Sequence, residues 1–157
     1  MYQKITTIIV SILLAACSAT LEKPLEANKT QEVKLPEGYL NLSAEEQKDT
    51  FELYWKAISR VEPRFPISAA RNSLSGCTKV LVGVDASGKA EFVKVVGSYP
   101  KKLFDNASIN AIKLWRWKAG DKNQTHAPAL TTIELNYILH GAKNMSDVQE
   151  QCNLSST

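Results

Sequence analysis

The sequence predicts an α+β domain in which helices pack on one face of a three-stranded antiparallel sheet, preceded by an extra amphipathic helix. Three observations predict it. Val80, Val82 and Val84 alternate along one segment, pass through Asp85-Ala86-Ser87-Gly88 and re-emerge as Val93 and Val95, which is the pattern of a hairpin. A cleaner alternation comes late: Ile133, Leu135, Tyr137 and Leu139 point one way, and Thr132, Glu134 and Asn136 the other. Around these strands, apolar residues recur at helical spacing.

Taken in order, Ser43 with Glu46 three residues on is a capping box and predicts a helix start. Phe51, Tyr54, Trp55 and Ile58 then form one apolar stripe of a helix over 43–61 that ends near Arg60, before Pro63. Pro66 suits the first turn of a short second helix over 67–73, because a helix's first N–H has no intrahelical partner to lose. Gly76 ends that helix and the hairpin follows. In its turn Asp85 bonds its own following backbone, and Gly88 accepts positive φ. Gly97-Ser98-Tyr99-Pro100 breaks the second strand near Val96. A helix over 104–115 places Phe104, Ala107, Ala111, Leu114 and Trp115 against the sheet. The stretch 120–128 is a loop, the last strand covers 130–139, and the tail 142–157 is polar and low in structure.

The first residues form a separate signal. Lys4, then an apolar run from Ile5 to Leu14 of roughly ten residues, falls well short of the about 20 needed to cross a bilayer. It fits a cleavable secretory signal over 1–16. The tetrad Leu14-Ala15-Ala16-Cys17 resembles the lipobox of bacterial lipoproteins, which implies lipid on Cys17 and an anchor in the membrane. Ser18 follows where the inner-membrane members of that group carry Asp, so the resemblance favours the outer membrane. Residues 17–42 are polar, with Pro24 and Pro36, and read as a tether on the order of 80 Å when fully extended at ~3.3–3.6 Å per residue. With Cys17 lipidated, Cys77 and Cys152 remain as an even pair in an oxidising compartment. A disulfide between them is the natural reading, with two thiols as its alternative. The formal net charge is +3. It hides roughly 12 Lys and Arg against about 5 Asp and Glu over 63–143. That excess suits an acidic partner or an anionic envelope surface, or is a solvated surface of mixed charge. An exported lipoprotein has no call on nucleic acid.

Glu62-Pro63-Arg64-Phe65-Pro66-Ile67-Ser68-Ala69-Ala70 resembles the Pro-x-aromatic-Pro-x-x-Ala entry of the TonB C-terminal domain family. Gly76 with its valine-rich hairpin, Phe104-Asp105-Asn106-Ala107, and Trp115-Arg116-Trp117 continue the likeness in the family's order. There are two departures. Lys118 is followed directly by Ala119, where the family has Pro-Ala after its triplet, and Glu62 stands where Gln is common. The resemblance implies a TonB-like domain over 62–141, a last strand whose edge takes up an extended segment of another envelope protein, and a link to TonB-dependent transport. Partner-binding residues implied by it are Pro63, Phe65 and Pro66 at the entry, and Thr132, Glu134 and Asn136 on the strand. An open edge also admits a second copy of the chain, giving a homodimer, whereas cover by the N-terminal helix or the disulfide-bound tail would close it. Energy-transducing members keep an uncleaved membrane helix, so a cleaved signal with a lipid anchor implies no direct coupling to an inner-membrane motor.

Chemistry of other kinds is not visible. His126 and His140 stand apart without metal-ligand spacing, and no phosphate loop, nucleophile elbow or catalytic triad order occurs. No catalytic residue, metal site or cofactor is expected. Trp115 and Trp117 can line a site, although a Trp closing a helix onto a sheet is commonly core. Two functions follow from the sequence: a tethered binding module facing the periplasm, or a structural envelope lipoprotein whose basic domain packs on membrane or cell wall.

Overall fold

Trp55 is where the chain first departs from the expected long helix. In the computed structural model, which describes residues 35–152, a 3₁₀ turn at Glu45–Gln47 leads into α1 (Lys48–Tyr54), and Trp55 is already extended at φ −136° and ψ 114°. The next five residues are strand β2 (Trp55–Ser59). The reason is tertiary. The carbonyls of Leu53 and Tyr54, free at the end of a helix, are taken by the amides of Lys122 (3.2 Å) and Gly120 (2.8 Å). Trp55 is 1% exposed and Ile58 60% exposed, so the stripe assigned to one helix face is split between a helix and a strand. The capping box does not form either: Ala44 occupies the N-cap without a side-chain bond, and the Ser43 hydroxyl donates to Asn41 Oδ1 at 2.6 Å.

The expected tether contributes a strand of its own, β1 (Leu40–Asn41). The short helix α2 (Ile67–Arg71) starts behind Pro66, which sits at the N-cap rather than inside the first turn. The hairpin strands β3 (Gly76–Val84) and β4 (Ala90–Tyr99) form as read, with β4 running three residues past Val96 to a cis Tyr99–Pro100 peptide. Helix α3 (Asp105–Ile112) stops short of Trp115. Leu114 is 56% exposed and does not cover the sheet. Trp117 inward and Lys118 outward belong instead to strand β5 (Arg116–Ala119). Strand β6 (Ala129–Tyr137) is two residues shorter at its end than expected. The tail is structured, with α4 (Met145–Gln151) burying Val148 completely.

The α+β class stands, with more strands than three. The main sheet has the order β1-β6-β3-β4, antiparallel except for the β1–β6 pair, and β2 pairs antiparallel with β5 in a second sheet. The register sets Val84, Val82 and Val80 beside Ala129, Thr131 and Ile133. These valines, with Phe51, Trp55, Ile112, Trp115 and Trp117, form the main core. A second cluster holds Ala69, Phe104 and Tyr137, with the Phe104 and Tyr137 rings stacked at 4.3 Å. Between them, Ser108 Oγ lies 2.7 Å from Thr78 Oγ1 and 2.6 Å from the Tyr137 hydroxyl, a buried polar network tying α3 to both central strands. Burial pushes the Tyr137 phenol above its ordinary value; Asp105 adds to the rise, and the Ser108 bond opposes it.

Candidate strand-acceptor site

The functional question turns on β6, because one side of it is fully paired and the other is not. Its inner side is laddered to β3 from Ala129 through Tyr137. Its outer side carries only β1, at Ala129 and Leu130. There the Leu40 amide donates to Pro128 O (2.9 Å) and the Leu42 amide to Leu130 O (3.0 Å). Main-chain groups of a strand alternate sides, so those of Thr132, Glu134 and Asn136 face the same outer edge. Among the described residues no strand covers that edge beyond Leu130.

Beside this edge lies a groove of about 750 Å³, walled by α1 and β2 and lined by Thr131 to Glu134 of β6. Phe51, Trp55, Trp115 and Trp117 line it from the core side. Two of the tryptophans are locked by their indole N–H groups: Trp55 donates to Ala127 O at 3.0 Å and Trp115 to Val61 O at 2.9 Å. The Arg60 guanidinium lies 5.5 Å over the Trp115 ring, a cation–π contact at the groove's rim. Lys56 reaches Asp121 at 2.9 Å and holds that carboxyl below its ordinary value. Trp115 and Trp117 are thus both core and groove lining. Arg60 was legible only as a helix end, because nothing in the sequence says that a strand would carry it to this rim.

The residues singled out on the strand are brought together, each with an occupation of its own. Thr132 donates its hydroxyl to Ser43 O at 2.8 Å, and Glu134 pairs with Lys79 at 3.1 Å. Asn136 is exposed. Phe65 packs edge-on against Tyr137 (6.1 Å) and Phe104 (5.7 Å), so it braces the far end of β6. Pro63 and Pro66 are half-buried beside it in sequence, and Pro66 starts α2. Neither α1 nor α4 pairs its backbone with the edge. Cys77 and Cys152 are joined as a disulfide. With Asn144, whose side chain bonds both main-chain groups of Ser75 at 3.0 Å, the bridge ties α4 to β3. Cys17 lies outside the described residues.

His126 is taken up structurally, its ring 6.2 Å from that of Trp55 and its Nδ1 3.3 Å from Ala86 O. Among the described residues, no group of three or more His, Cys, Asp or Glu side chains is placed to hold a metal ion. No described helix is long and apolar enough to cross a membrane.

A strand edge beside an aromatic groove is an arrangement that protein-interaction domains use to take up extended segments. Residues 61–139, half of the chain, match the family model described as Gram-negative bacterial TonB protein C-terminal, and the chain belongs to that family. It is similar to protein TonB of Salmonella typhimurium (strain LT2), with 32% identity over 65 residues, 41% of this chain and 27% of that protein. Protein TonB of Escherichia coli (strain K12) is 29% identical over 65 residues, again 41% of this chain and 27% of that protein. Protein TonB of Xanthomonas campestris pv. campestris (strain B100) is 28% identical over 78 residues, 50% of this chain and 35% of that protein. The chain therefore aligns with only about a third or less of these relatives' length. The solution NMR structure of the Pseudomonas aeruginosa TonB CTD is similar at 20% identity and a TM-score of 0.48, covering 55% of this chain and 87% of that one.

Proposed function

We propose that this chain is a lipoprotein, anchored through Cys17 on the periplasmic side of the envelope, whose TonB-like domain captures an extended segment of an envelope protein by strand addition. The observation that carries this reading is the outer edge of β6 from Thr132 to Asn136, which no strand among the described residues pairs with and which a groove flanks. In strand addition the main chain supplies affinity and alternate side chains supply specificity. An incoming strand meets main-chain groups of Thr132, Glu134 and Asn136. Its core-side residues enter the groove over Trp115 and Trp117, and Phe65, flanked in sequence by Pro63 and Pro66 and packed on Tyr137, stiffens the end of β6 where it docks. The lipobox at Cys17 supports the anchor, Ser18 supports the outer membrane as its location, and membership of the TonB family supports a link to TonB-dependent transport. A second copy of the chain is a competing occupant of the same edge.

A photoreactive residue at Asn136 tests the reading in cells. It is expected to cross-link to one envelope protein. Reaction with solvent alone would remove the proposal, and a product of twice the chain's mass would assign the edge to a homodimer. The alternative, a basic domain packed on the membrane or cell wall, rests on the charge excess over 63–143. It predicts that the delipidated chain stays bound to envelope fractions until several lysines of one face are removed.

A further inference from the structure

We propose that β1 is an intramolecular stand-in for a partner strand: its pairing with Ala129 and Leu130 confines a bound segment to Thr132–Asn136 unless that segment is long enough to displace it. This rests on the strand-addition reading above. β1 occupies the outer edge of β6 in register, Leu40 beside Ala129 and Asn41 beside Leu130. The chain then leaves the edge at Ser43, whose carbonyl takes the Thr132 hydroxyl at 2.8 Å, and turns into the 3₁₀ turn Glu45–Gln47. That departure is a physical stop. A segment laid along Asn136 and Glu134 meets Ser43 at Thr132 and can pair no further.

The stop is also lightly built. β1 has two residues, both exposed, so its own side chains add little burial. Its main-chain hold is a two-residue ladder with Ala129 and Leu130, flanked by the bonds from the Leu40 and Leu42 amides. It is latched from one side by Tyr39, whose hydroxyl donates to Glu91 Oε2 at 2.9 Å and whose ring lies close over Gly83, where a Cβ would come within 3.0 Å of it. A partner strand that reaches Ala129 offers the same edge the same kind of bonds and competes with β1 directly. The edge therefore distinguishes segments by length: a short one binds beside β1, and a longer one gains extra pairs only by expelling it. The same arrangement shields part of an edge that would otherwise template pairing with any strand.

Two acetylated peptides of alternating valine and threonine, about five and about eight residues long, provide the test against the whole mature chain carrying Cys17→Ser. Removing the Leu40 and Leu42 donors with Leu40→Pro and Leu42→Pro is expected to tighten binding of the longer peptide about tenfold and leave the shorter one unchanged. Equal affinities in both proteins would overturn the stop while leaving strand addition intact. Absence of binding by either peptide to either protein would remove strand addition, and the stop with it. Amide exchange in the chain with its native β1 decides the matter if the proline variant does not fold. The longer peptide should strip protection from the Leu42 amide and the shorter one should not; protection retained with both would overturn the proposal.

Discussion

Asp85 closes the β3–β4 hairpin because its Oδ1 collects three donors: the Ser87 amide at 2.8 Å, the Ser87 hydroxyl at 2.7 Å and the Lys89 amide at 2.9 Å. Burial by itself would raise this carboxyl's pKa, but the bonds from Lys89 and Ser87 outweigh it, and the group titrates below its ordinary 3.8. A lowered native value stabilises the fold above the ordinary value and loses that contribution as pH falls through the native one. Asp85→Asn is therefore expected to lower stability by about 1–2 kcal/mol near neutral pH, with the gap to the unmodified chain closing only below about pH 4. Urea midpoints measured across that range check it. Gly120 poses a different constraint, since a Cβ there would stand 2.2 Å from the Leu53 carbonyl oxygen. Gly120→Ala should destabilise by about 1–3 kcal/mol and loosen the junction of α1 with β2, seen as a lower melting temperature with a shifted tryptophan emission. Asp85 and Gly88 were legible as a turn because their roles are local. Gly120 read only as loop, because the atoms it makes room for lie more than sixty residues away in the chain.

At the scale of elements, long strands with a regular apolar repeat announced themselves and short pieces with distant partners did not. β3, β4 and β6 each carry valines or other apolar residues at every second position, and the sequence places them within a few residues of their ends. β2 and β5 are five and four residues long, and they pair with each other across about sixty residues of chain. Read singly, Trp55 to Ser59 extends a helical stripe, and Trp115 to Trp117 extends another. The tail shows little pattern for a related reason. α4 is polar, and its hold on the sheet comes from Val148, Asn144 and the Cys77–Cys152 bridge, which closes a loop across 75 residues. In the chain-entropy account such a loop contributes about 4 kcal/mol. Replacing both cysteines by serine is expected to lower unfolding stability by that order and to free α4. The check is loss of amide protection at Val148 with the β3–β6 ladder retained.

In the proposed function the molecule joins an anchor at Cys17 to a strand-accepting edge on β6. If Cys17 carries lipid, labelled palmitate should be incorporated into the chain, and Cys17→Ser should abolish that label and move the protein from membrane to soluble fractions without altering its circular dichroism. Unchanged fractionation would remove the anchor from the proposed function. The sequence alone determined the α+β class, the hairpin with its Asp85 turn, the late alternating strand and the TonB-like order of motifs. These are periodic or nearest-neighbour features, and hydrophobic alternation or a turn residue needs no knowledge of what lies opposite. Only the tertiary structure decided that α1 gives way to β2, that Arg60 and the tryptophans line one groove, and that β1 is the one strand among the described residues to pair with the outer edge of β6, at Ala129 and Leu130. Those outcomes depend on which segments meet across the fold. A two-residue strand such as Leu40–Asn41 carries too little pattern to predict the partner that makes it a strand.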